Sequence, residues 1–253
     1  MKRRVLVVVV VAVLLGAGLL VADATWARGF WFRPSTTRFQ TVGLDVSHHQ
    51  GAIDWPRVGQ SEVKFVYLKA TEGRDWSDAR FAKNWLGARE AGLVAGAYHF
   101  FSFCSPGVAQ AEHFLSVLPV DDDMLAPALD VEFGGNCKSP PPASAIQAEV
   151  RAWLEHVEAK LGTRPVLYVT EDALDALFDS SQLDGAAGAG PLLWYRSVLF
   201  EPSLRPPATW TFWQYHSRGR VEGIDGPVDL NVFAGPADTL PLRRAGARQA
   251  ISE

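Results

Sequence analysis

Sulfur ligands are nearly missing from this chain. Its 253 residues include two cysteines, Cys104 and Cys137, and neither stands in a CxxC pair. A cysteine-based zinc site therefore lacks its ligands. Positive charge is also short: 24 Lys and Arg face 28 Asp and Glu, a formal charge of −4, and no long run of like charge occurs. That excludes the basic footprint of a nucleic-acid binder. No glycine-rich phosphate loop follows any strand-like run. Gly134 and Gly135 lead toward Cys137 and Pro140, not into a helix start, which removes the dinucleotide and P-loop readings. No repeat at a fixed period is present.

Aromatics, by contrast, are plentiful: nine Trp, fourteen Phe and five Tyr. Core packing accounts for most of them. Those flanked by polar residues near strand ends also suit the flat apolar faces of sugars. The N-terminus is MKRR followed by Val5–Ala22, eighteen apolar or small residues. As a helix that run is about 27 Å long, close to the ~30 Å hydrocarbon layer of a membrane. The basic residues before it favour a cytoplasmic start, and Ala22-Asp23-Ala24 has the form of a signal-cleavage site. Residues 1–24 thus read as a signal peptide or an N-terminal membrane anchor, and residues 25–40 as a tether. Either way the rest is exported, membrane-anchored facing outward or periplasmic/secreted. Export makes a Cys104–Cys137 disulfide plausible, with two buried thiols as the alternative.

From residue 41 strands and helices alternate. Strand-like runs are 42–47, 63–71, 93–101, 125–133 and 164–170. Helical patterns are 77–92, with Ser77 as cap and Phe81, Trp85 and Ala88 on one face, then the segment after Ser105-Pro106, then 143–161 and 171–179. After the Gly/Ala-rich stretch 185–190 come three strand-like runs, 192–197, 210–217 and 228–233, with little room for helices between them. Five strand–helix units and three further strands predict an α/β fold, a modified TIM-like (β/α)5(β)3 barrel, with an open doubly wound sheet as runner-up. The tail, 237–253, is expected to be flexible.

In such a barrel, groups at strand C-termini meet at one mouth. Asp130 and Glu132 are two apart on one strand, so they share a face, while Leu129, Val131 and Phe133 point toward covering helices. Two charges roughly 6.5 Å apart repel by about 2.5 kcal/mol at an effective dielectric of ~20. That is enough to hold one of them protonated near neutrality, as a general acid for glycosidic oxygen requires. A solvated edge, a structural salt bridge or a divalent-cation site are the alternatives. Asp45 and Asp229 lie on two other strands.

The segments "GLDVSHHQGAIDW", "FVYLKATEG", "AGLVAGAYHFF", "ALDVEF" and "FWQYHSRGRVEGIDGPVDLNVF" occur in this order over about residues 42–235. Together they resemble glycoside hydrolase family 25, the lysozymes or muramidases. The resemblance implies a catalytic domain at 41–236. It also implies hydrolysis of the β-1,4 bond between N-acetylmuramic acid and N-acetylglucosamine in peptidoglycan, by a monomer with no cofactor or metal. Its partners would be peptidoglycan glycan strands, and the membrane if the N-terminal segment stays uncleaved. By matching motif, Glu132 takes the general-acid position and Asp130 its partner beside the substrate's acetamido group. Asp45 and Asp229 are further pocket acids, and Tyr98, Trp213, Gln214, Tyr215 and Glu72 are substrate contacts. The sixth strand departs from the family pattern, with Arg196 where a small or aliphatic residue is usual. A Cys104–Cys137 bridge would pin two rim loops.

His48 and His49 invite a metal or triad reading. Strand alternation keeps both from entering one site, and Ser47 lacks a nucleophile-elbow context. They read as rim residues, and Lys69 as a buried structural partner. A non-catalytic glycan-binding protein on the same barrel is the alternative function.

Overall fold

The computed structural model describes residues 34–119, 123–135, 137–178, 190–198, 200–204 and 209–243. Residues 1–24, read above as a signal peptide or anchor, and most of the 185–190 stretch lie outside them. Eleven strands follow in order: β1 (Thr41–Val46), β2 (Val63–Glu72), β3 (Trp76–Ser77), β4 (Val94–Phe100), β5 (Met124–Leu125), β6 (Ala128–Val131), β7 (Val166–Thr170), β8 (Leu192–Arg196), β9 (Phe212–Gly219), β10 (Val228–Phe233) and β11 (Leu242–Arg243). Five α-helices are interleaved: α1 (Trp55–Gly59), α2 (Phe81–Glu90), α3 (Gly107–Val117), α4 (Ala143–Leu161) and α5 (Glu171–Leu177).

The main sheet runs β1-β10-β9-β8-β7-β6-β4-β2, and a β1–β2 pairing closes it into a barrel. One helix follows each of β1, β2, β4, β6 and β7, and none is described between β8, β9 and β10. This is the five-plus-three arrangement expected from the sequence. One feature was not legible there: β10 pairs antiparallel with both neighbours, so it alone runs against the other barrel strands.

Alternation sorts each strand into two layers. Outward residues such as Leu44, Val66, Leu129, Val169 and Trp213 join the helices in one apolar shell. Helix α4 covers its part with Ile146, Val150, Trp153 and Val157, a stripe at helical spacing, and stops at Gly162 in the left-handed region (φ 64°). Inward residues form a second cluster, with Phe65, Tyr67, Tyr168, Trp194, Phe212 and Phe233 among its members. Their rings interlock: Tyr67 stacks on Trp194 at 4.7 Å, and Phe212 meets Phe65 and Phe233, each at 5.3 Å. The barrel is therefore plugged, and most of the aromatics are core.

Four details differ from expectation. Phe39, assigned to the tether, is buried between Trp210 and Trp213, so the domain begins before residue 41. The tail does not become free at 237: Leu240 enters the plug, and β11 pairs with β5 below the barrel. Ser77 lies in β3 and does not cap α2; the Asp78 carboxylate accepts from Arg80 N at 2.8 Å just ahead of that helix. Phe133 does not face the helices. It is 40% exposed and packs edge-on against Phe103. Cys104 and Cys137 form the disulfide, joining the loops after β4 and β6.

Candidate active site

Above the aromatic plug the same inward parity delivers polar groups. Phe65 and Tyr67 are followed on β2 by Lys69, Ala128 by Asp130, Trp194 by Arg196, and Phe212 by Gln214. Lys69, Asp130, Arg196 and Gln214 line a cleft of about 410 Å³ together with Asp45, Glu132 and Asp229. Asp130 ends up beside Phe100 and Tyr168 in the strand register, and Asp45 lies directly opposite Asp229. Asp229 is at the start of its strand. It reaches the mouth only because β10 is reversed.

Asp45 is held by amides. Its Oδ2 accepts from Asn231 Nδ2 at 2.7 Å and from Gln214 Nε2 at 3.0 Å. Each amide is aimed by an aromatic donor: Trp194 Nε1–H donates to Asn231 Oδ1 at 2.8 Å, and Tyr168 O–H to Gln214 Oε1 at 3.1 Å. The five side chains thus form a buried relay that fixes one carboxylate oxygen. Sequence reading missed Asn231, Tyr168 and Trp194. Asn231 was findable, since it stands two residues after Asp229 and so shares its face.

All four carboxyls hold their protons more tightly than usual. Burial is the first cause in each case. Asp229 is pushed to about 9 by burial and then by the Asp45 charge. Asp45 rises too, but its hydrogen bonds to Asn231, Gln214 and Asp229 pull it back. Within that pair the hydrogen bonds favour charge on Asp45 and the proton on Asp229. Asp130 is raised well above the carboxylate range by burial and then by Glu132. Glu132 is raised less firmly, because Arg196 opposes its burial. The sequence argument relied on repulsion between Asp130 and Glu132; burial proves the larger cause. Asp130 Oδ1 has no hydrogen-bond partner among the described residues, leaving a buried oxygen open to a ligand donor.

The predicted sugar contacts divide. Tyr98 and Gln214 line the cleft. Trp213 and Tyr215 do not: they flank Gln214 on β9, so alternation turns both outward into the apolar shell, where Trp213 Nε1 donates to Ser197 O at 2.8 Å. Glu72 is not a cleft-lining residue either. It receives Lys69 Nζ at 2.7 Å and so positions a cation that does line the cleft. His49, Ser47 and Gln50 form part of the rim. His48 points its Nδ1 at Asp78 Oδ2, 2.9 Å away.

A plugged barrel whose mouth gathers two adjacent proton-holding carboxyls and two supporting acids is the layout of a carboxylate-dependent glycoside hydrolase. Comparison with known proteins agrees. The profile of glycosyl hydrolases family 25 matches residues 44–224. Lysozyme M1 of Streptomyces globisporus is 37% identical over 214 residues, 78% of this chain and 69% of that protein. A family 25 glycosyl hydrolase from Bacillus anthracis superposes with a TM-score of 0.74 at 38% identity, covering 82% of this chain and 94% of that one. A lysozyme from Streptomyces coelicolor does so with 0.70 at 33%, covering 79% and 94%. The chain belongs to glycosyl hydrolases family 25.

Proposed function

We propose that the protein is an exported muramidase that hydrolyses the β-1,4 bond between N-acetylmuramic acid and N-acetylglucosamine in peptidoglycan. The observation that carries this reading is the pair Asp130 and Glu132, both with raised pKa, at the mouth of a family 25 barrel. Lysozymes and muramidases among the relatives support the substrate. Glu132 lies just past the end of β6 and is only half-buried. It is the group that meets the leaving oxygen and delivers its proton. Asp130 sits deeper, and its unpartnered Oδ1 faces the N–H of the sugar's 2-acetamido group. Asp45, tied to its amide relay, keeps a negative charge under the sugar where positive charge develops in the transition state. Export is supported by the basic, then apolar, N-terminal sequence and by the Cys104–Cys137 bridge, which fits an oxidising compartment.

The test is product analysis. Peptidoglycan digested by the full chain is reduced with borohydride, and the new reducing ends are identified by mass spectrometry. Muramic-acid ends are expected, with Glu132→Gln slowing their release by about 10²–10⁴-fold, the usual worth of a general acid. Glucosamine ends, or an undiminished rate in the variant, would overturn the assignment.

A further inference from the structure

We propose that Arg196 is a specificity residue of this cleft, its guanidinium receiving a carboxylate carried by the glycan, so that the site selects an acidic sugar chain over a neutral one. The proposal rests on the glycan-hydrolase reading above and names what distinguishes its substrate.

Arg196 closes β8, in register with Thr170 of β7 and Gln214 of β9. Leu192 and Trp194, two and four residues earlier, belong to the plug, so the same parity sends Arg196 up into the cleft, which it lines. It is half-buried there. Among the described residues no ion pair and no side-chain hydrogen bond engages its guanidinium, although its field is felt at Asp45, Glu132 and Asp229. The cleft's other cation is committed. Lys69 Nζ is bonded to Glu72 at 2.7 Å and lies over the rings of Phe100 and Trp76, at 4.5 and 5.1 Å.

A guanidinium carries five donors in a planar fork that matches a carboxylate, and it stays charged at any relevant pH. Half-buried on an open cleft, its donors are left to solvent, so a ligand with matching acceptors can take them without breaking a protein contact. The adjacent acids leave the fork unfilled: Asp229 holds its proton tightly, Asp45 spends its Oδ2 on amides, and Glu132, whose burial Arg196 opposes through its charge, makes no ion pair or hydrogen bond with it. The incoming group must therefore bring its own charge. Muramic acid differs from N-acetylglucosamine by a lactyl ether at O3. That ether ends in a free carboxylate or continues into a peptide stem that bears carboxylates. Both sources offer the same chemistry to Arg196.

The experiment compares the full chain with Arg196→Gln and Arg196→Lys on three glycans: peptidoglycan with its stems, strands stripped of stems so that the lactyl acid is free, and the stripped strands with that acid converted to a methylamide. Wild type should prefer free-acid over methylamide strands by roughly 10- to 100-fold in kcat/KM, the worth of charge-assisted hydrogen bonds, and mostly through KM. That preference should collapse in Arg196→Gln and be partly kept in Arg196→Lys, which retains charge without the fork. If stems are the source, the lost preference is instead for stem-bearing peptidoglycan over stripped strands. An equal charged-to-neutral preference in wild type and Arg196→Gln overturns the proposal. So does an equal fall in kcat on all three glycans with a moved acid limb of the pH profile, because Arg196 would then act only on the proton of Glu132. Thermal unfolding checks each variant, and Arg196→Lys carries the test should Arg196→Gln fail to fold. Should wild type release no reducing ends from any glycan, the hydrolase reading fails separately. Calorimetric binding of free-acid and methylamide strands then decides Arg196: a preference that the variant loses supports it, and no preference overturns it.

Discussion

Replacing Asp229 with Asn should make the protein more stable at neutral pH, and the gain should grow with pH. Asp229 faces Asp45 across the β1–β10 pair, and burial followed by the Asp45 charge raises its pKa from 3.8 to about 9. An acid that binds its proton more tightly folded than unfolded stabilises the fold fully below its unfolded pKa. That contribution is lost as pH rises toward the folded pKa. Between pH 3.8 and pH 7 the loss has a ceiling of about 4 kcal/mol, at about 1.36 kcal/mol per unit. Asp45 and Asp229 titrate as a pair, which brings the expected value to about 2–4 kcal/mol. The amide of Asp229→Asn keeps the shape and donates to Asp45 at every pH, as the shared proton does only while it is bound. Urea unfolding of wild type and variant at pH 4, 5.5, 7 and 8 reads the effect. Curves that coincide at pH 4 and separate steadily above it are expected, together with reduced release of reducing ends from glycan. A difference that stays flat with pH, or a variant less stable at pH 7, refutes the reasoning that this carboxyl is buried with its proton.

Two further outcomes follow from the geometry. Trp213→Phe should lower stability by about 1–3 kcal/mol in urea unfolding, because a fully buried ring and its bond to Ser197 O are lost, while KM for glycan stays put. A raised KM at unchanged stability would return Trp213 to the cleft. Replacing Cys104 and Cys137 together by Ser should cost roughly 3–4 kcal/mol, the loop-closure value for a separation of 33 residues, measured the same way under non-reducing conditions. No loss would mean that the rim loops are already held by their packing.

Much of this was legible in the sequence because one rule, the two-residue period of a strand, decides both the core and the site. It put Asp130 and Glu132 on one face. It does not govern His48 and His49, which lie past β1 in the 3-10 turn His48–Gln50 with their rings 4.0 Å apart; there the bond of His48 to Asp78, not strand alternation, leaves His49 alone of the two at the cleft. Applied to Trp213, Gln214 and Tyr215 it admits only Gln214, and applied to "VDLNVF" it pairs Asn231 with Asp229. A family likeness treated each motif as a unit, and so it carried two core aromatics into the site and left an amide out. Strand direction is a different matter. Nothing local in Val228–Phe233 says that the strand runs backward. Pairing with β1 and β9 decides that, and those contacts lie far apart in sequence. The tail's β11 is two residues long, too short for any periodicity to announce it.

The same rule explains how a small barrel tolerates four carboxyls at its mouth. Each of β2, β8 and β9 carries an apolar or aromatic inward residue beneath a polar one, so the plug and the site are consecutive floors of one column. On β1 the lower floor is Gly43. A Cβ there would come within 2.3 Å of the Phe65 ring, so the ring occupies the space directly below Asp45. Water is thereby kept from that side of Asp45, and its remaining polar needs are met by Asn231 and Gln214. Burial raises the proton affinity of the acids; the amide relay decides which of them yields its proton first. Enlarging residue 43 would disturb the plug, and through it the footing of the charge, with no atom of the substrate touched.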